Sequence, residues 1–123
     1  MIAAQDLMIG DWVQHASDNY FKVTRIDMWG DGSTHFACGH PHLWDYNNKF
    51  SPIPLTAEIL ERNGFQQIST NKYISSIVTI AVFAEEFLIT IKSENAKIMV
   101  VIKYVHELQH ALRLCGIDIT IEL

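Results

Sequence analysis

The chain has 123 residues and a mass of 14.1 kDa, the size of one domain or of a domain with a small appended lobe, which excludes a large multidomain enzyme. Its 49% hydrophobic and 19% charged content excludes a disordered chain. Nine Lys and Arg stand singly among fourteen Asp and Glu, for a net charge of -5, so generic nucleic-acid or anionic-membrane binding is disfavoured.

Leu7 to Tyr46 reads as short strands and turns. Ile9-Gly10-Asp11-Trp12-Val13 opens, Tyr20 to Ile26 follows, and Trp29-Gly30-Asp31-Gly32 turns the chain. In the second run Phe21 and Val23 compete with Ile26, so alternation does not fix its buried face. Ser51-Pro52-Ile53-Pro54-Leu55 is then a stiff extended joint, because each proline fixes its own φ and biases its predecessor away from the helix. Thr56 is placed to cap a two-turn helix near Ala57 to Arg62, stopped by Asn63-Gly64. Three β-rich runs follow, Tyr73 to Phe83, Phe87 to Lys92 and Lys97 to Lys103, with turns expected at Ala84 to Glu86 and Ser93 to Asn95. A second helix from about Tyr104 to Leu114 stops at Gly116, and Ile117 to Leu123 alternates as a closing strand.

The expected fold is therefore α+β: a barrel-like antiparallel β-meander over residues 1–50, then helix, antiparallel sheet, helix and closing strand over 51–123. Runs as apolar as Ile77 to Phe83 and Ile98 to Ile102 need cover that two helices hardly supply, which makes a homodimer plausible. The start lacks a basic leader and no apolar run is long enough to span a bilayer, so a cytoplasmic location is expected, with Cys38 and Cys115 as reduced thiols.

Two segments carry possible chemistry. His106-Glu107-Leu108-Gln109-His110 is a literal HExxH, in which His106 and His110 share a helix face and can hold zinc while Glu107 acts as general base on the metal-bound water. Asp118 and Glu122 are the downstream carboxylates available as a third ligand. Stepping 100° per residue from Val105 sets Leu108, Ala111, Leu112 and Cys115 on one arc and the histidines opposite, on a solvated face. Cys38, His40 and His42 form a second, weaker zinc candidate, with Gly39 and Pro41 favouring a loop. Trp12, Trp29 and Trp44 crowd the first half, as a β core or as a partner surface.

Three stretches, Asp6 to Val13, Pro52 to Phe65 and Ile102 to His110, carry a resemblance to a family of short uncharacterised proteins of anaerobic gut bacteria and of their phages and mobile elements. Where that family commonly reads Val-His-Gln-Leu-Gln-Asn, this chain has Glu107 and His110, which the resemblance implies are an accidental zinc motif. It further implies a small accessory protein that acts by binding host or element proteins. The expected function is thus a non-enzymatic protein-interaction module without a cofactor; the alternatives are a zinc hydrolase at His106, Glu107 and His110 and a small-ligand or nucleotide binder on the aromatic half.

Overall fold

The computed structural model describes residues 7–38, 43–46, 49–84, 86–92, 97–117 and 119–123, without the side chains of Cys38, Leu43 and Trp44. The fold is α+β with two antiparallel sheets and two helices, and the chain divides into compact units at Met1–Ile53 and Pro54–Leu123.

The N-terminal unit is a five-stranded sheet in the order β4-β3-β2-β1-β5. Its strands are β1 (Trp12–His15), β2 (Tyr20–Met28), β3 (Thr34–Cys38), β4 (Leu43–Tyr46) and β5 (Phe50–Ser51). The chain enters β1 through Gly10 at φ 96°, where a side chain would be strained, and Asp11, whose Oδ2 accepts from the Met8 N–H at 2.8 Å. Gly32, at φ 85°, makes the turn from β2 to β3. The ambiguous pattern of β2 has a physical cause. Its register shifts between Val23 and Arg25, with the Thr24 hydroxyl donating to the Ala37 carbonyl at 2.9 Å, and a bulge exchanges the faces of a strand. Phe21 and Val23 before it and Ile26 after it therefore all reach the core of Leu7, Val13, Phe36 and Phe50.

No strand pairing among the described residues closes this sheet into a barrel, and β4 and β5 are its edges. It is nonetheless strongly curled. His15 on β1 lies 2.9 Å from Asp45 on β4, although three strand spacings in a flat sheet amount to about 14 Å. Phe36 and Phe50, equally far apart in strand order, have ring centroids 5.3 Å apart.

The C-terminal unit begins with α1 (Ala57–Arg62), where Thr56 Oγ1 accepts from the Ile59 N–H at 3.2 Å and Gly64 turns the chain at φ 86°. A five-stranded meander follows in the order β10-β9-β8-β7-β6. Its strands are β6 (Gln66–Ser69), β7 (Lys72–Ser75), β8 (Val78–Phe83), β9 (Glu86–Lys92) and β10 (Lys97–Ile102), and α2 (Val105–Leu114) comes last. Val78, Ile80, Phe87, Ile89 and Ile91 are buried on one sheet face. Lys97 to Lys103 thus ends as a strand one residue early, and the turn expected at Ser93 to Asn95 lies outside the described residues.

Two expectations are corrected here, and one strand is additional. The run Tyr73 to Phe83 is two strands, because Ser76 takes φ 54° and turns the chain between β7 and β8. The exposed, mostly polar β6 has no apolar alternation to announce it, and pairing with β7 makes it a strand. Ile117 to Leu123 is no strand among its described residues. Asn63 holds that segment instead, its Nδ2 donating to the Glu122 carbonyl at 2.9 Å and its Oδ1 accepting from the Glu122 N–H at 2.7 Å, while Ile121 is buried.

Candidate functional site

The apolar face formed by Phe87, Ile89 and Ile91 continues onto β10 through the cross-strand partners Ile102, Val100 and Ile98. Ile102 is buried, but Ile98 and Val100 are 46% and 42% exposed, and Met99 and Val101 on the other face are 53% and 56% exposed. The ten-residue α2 covers part of this face and leaves its outer margin uncovered. The result is a groove of about 290 Å³, floored by Ile89, Ile98 and Val100 and walled on the helix side by His110, Leu114 and Cys115. Among the described residues β10 is the outer strand of its sheet. An edge of this kind offers backbone N–H and C=O groups beside uncovered apolar side chains. Charges of both signs border it: Lys97 stands directly opposite Lys92 at one end, while Lys103 at the other has its Nζ 3.5 Å from Glu86, and Glu107 lines the groove.

On α2 the expected solvated histidine face is corrected. His106 and Gln109 are buried together with Val105, Leu108 and Leu112, and Ala111 and Cys115 are only half-buried. The buried arc is rotated by about 80° from the arc of Leu108, Ala111, Leu112 and Cys115. The cause is Val105, which packs inward at the first turn and brings His106 and Gln109 with it. The His106 ring stacks on Tyr104 at 5.9 Å and meets His110 edge-on at 5.6 Å.

Glu107 Oε1 accepts from the backbone N–H groups of Lys103 at 2.9 Å and Tyr104 at 3.0 Å. This is the return half of a capping box, so the carboxylate serves the start of the helix. Among the described residues no three His, Cys, Asp or Glu side chains are grouped to hold a metal. Asp118, His40, His42 and the Cys38 side chain lie outside the described residues.

The tryptophans have separate surroundings. Lys22 Nζ sits 5.2 Å above the Trp12 ring, across the β1–β2 pair. Trp29, 48% exposed, stacks on His35 at 3.5 Å, and Tyr46 lies against the same imidazole at 4.4 Å; the Trp44 side chain is outside the described residues. His35 Nε2 is 2.8 Å from Ser33 Oγ, which donates to Asp31 Oδ1. Hydrogen bonds from the Ser33 hydroxyl and then from its backbone N–H hold the Asp31 carboxyl below the ordinary range.

The sequence marks Ile98 to Ile102 as an apolar run short of cover, but the groove itself depends on how much of that face α2 reaches, which no local pattern encodes. Comparison with protein-family models, with curated proteins and with solved structures finds no match to this chain.

Proposed function

We propose that this chain is a small protein-binding module, non-enzymatic at this site, that takes up an extended segment of a partner along β10. The observation that carries the reading is the uncovered run Ile98 to Val101 on an outer strand beside an apolar groove. An added strand supplies main-chain hydrogen bonds, and its alternate side chains fill the groove. Completing the burial of each half-exposed Ile, Val or Met is worth roughly 1 kcal/mol before the ordering cost of binding.

The opposed lysines at one end select the partner: an apolar stretch ending in carboxylates brings them to Lys97 and Lys92. A second copy of the chain fits less well. The antiparallel register that pairs all of Ile98 to Ile102 with itself sets Lys97 opposite Lys103, and like charges directly opposed destabilise a strand pair. The reading agrees with an accessory protein of a bacterium, phage or mobile element acting in the cytoplasm. The curled, barrel-like N-terminal sheet with its Trp29 and Tyr46 surface is a further docking face in the same reading.

A labelled peptide Asp-Val-Thr-Val-Thr-Val-Asp tests it by fluorescence anisotropy. Saturable binding is expected, weakened at least about tenfold by Val100→Asp, which removes an apolar contact and buries a charge. Lys97→Glu should shift the preference toward the same peptide with Lys at both ends. Equal binding of the two peptides to the unaltered protein, or a concentration-dependent dimer abolished by Val100→Asp, overturns the proposed partner chemistry. The zinc alternative rests on the proximity of the His106 and His110 rings. Under the binding reading, protein prepared without a His tag holds far less than one zinc per chain by elemental analysis.

A further inference from the structure

The turn between β1 and β2 carries an arrangement unrelated to the β10 groove. His15 Nε2 lies 2.9 Å from Asp45 Oδ2, and His15 Nδ1 lies 2.9 Å from Ser17 Oγ. The Ser17 backbone N–H donates to the same Nδ1 at 3.1 Å. A ring nitrogen that accepts an N–H bears no proton, so the imidazole proton sits on Nε2 and points at Asp45. Asn19 Nδ2 donates to Ser17 Oγ at 3.3 Å, which leaves the Ser17 hydroxyl proton free for His15 Nδ1.

The ring is fixed edge-on between Phe21 and Phe50, with centroids at 6.2 and 5.1 Å. Asp18, at φ 69°, folds the turn back so that an exposed Ser17 meets His15. The hydrogen bond from His15 is the main cause holding the Asp45 carboxyl below its ordinary range. Hydroxyl, imidazole and carboxylate thus follow one another in the order of a serine nucleophile, its base and the group that orients the base.

We propose that Ser17, with His15 as its base and Asp45 as positioning residue, is a nucleophile that accepts acyl groups from small activated esters. Ser17 Oγ bonds to the ester carbonyl carbon as its proton passes to His15 Nδ1, the hydrogen bond from the Ser17 backbone N–H to that nitrogen breaking in the same step. The ester C–O bond then breaks, and His15 returns that proton to the departing phenoxide or alkoxide. Water attacks the acyl-serine in the same way, releasing the carboxylic acid and restoring Ser17. The Asn19 amide, donating to Ser17 Oγ, helps orient the hydroxyl.

The full-length chain is treated with an alkyl fluorophosphonate, and the adduct is located by peptide mass spectrometry. Modification of Ser17 is expected well ahead of Ser69, an exposed serine whose hydroxyl lies against Asn71. His15→Gln should slow it about 100-fold, the scale of a lost general base, and Asp45→Asn by a smaller factor. Modification of Ser17 no faster than of Ser69 overturns the proposal. Should His15→Gln unfold the protein, Ser17→Cys supplies the second measurement. A thiol paired with His15 is alkylated by iodoacetamide with a midpoint well below the ordinary thiol pKa of about 8.5, and a midpoint at the ordinary value overturns the assignment.

Discussion

Glu107 Oε1 binds two backbone N–H groups at the start of α2, donors that a helix leaves without an intrahelical partner. Glu107→Ala should therefore cost about 1 kcal/mol in a denaturant melt, and Glu107→Gln much less, since an amide oxygen caps as a carboxylate does. His106 is only 7% exposed, so His106→Ala should cost about 1 to 3 kcal/mol, above the range of surface substitutions. Asp45 adds a pH dependence. Its carboxyl is lowered in the folded state, first by the side-chain hydrogen bond from His15, so its stabilising contribution is complete above about pH 4 and disappears as the pH falls through the lowered value. Urea melts between pH 2 and 7 should show a shallower acid loss in Asp45→Asn, with the remainder including Asp31, which is lowered for its own reason.

At the scale of elements, a few residues set the boundaries: Gly10 and Asp11 lead into β1, Thr56 and Gly64 bound α1, and Glu107 caps α2. Asn63 extends that logic beyond its own helix. Its side chain accepts from the Glu122 N–H and donates to the carbonyls of Ile59 and Glu122. Asn63→Ala should cost roughly 1 to 2 kcal/mol, since three hydrogen bonds of modest net worth are lost. It should also raise amide exchange in residues 119–123 more than in β8 or β9, read by hydrogen-exchange mass spectrometry. Leu108 and Leu112, expected as core residues of α2, are buried, and their truncation to Ala should cost about 2 to 5 kcal/mol.

For the molecule as a whole, the net charge of -5 repels an acidic segment at long range, while Lys92 and Lys97 attract it locally at β10. Salt screens both effects, and the contact pair is the closer one. Raising salt from about 50 to 500 mM should therefore weaken the Asp-flanked peptide several-fold, and Lys97→Glu should flatten that dependence. No helix among the described residues is long and apolar enough to cross a membrane.

By itself the sequence determined the α+β class, both helices and the turns at Gly32, Gly64 and Gly116, because caps, glycines at positive φ and short-range periodicity are local in origin. What periodicity could not resolve was decided by contacts distant in sequence. The bulge in β2 depends on its pairing with β3, and the end of the chain is held by Asn63 rather than by a strand ladder. The burial of His106 depends on how α2 rolls over its sheet, which apolar counting along one helix misjudged. Both candidate sites are likewise products of the fold. The groove exists because α2 covers only part of the face that β10 shares with β9, and Asp45 meets His15 across thirty positions of sequence because the sheet between them curls. Local propensity fixes where elements begin and end, whereas the faces they share are set by the packing of the whole chain.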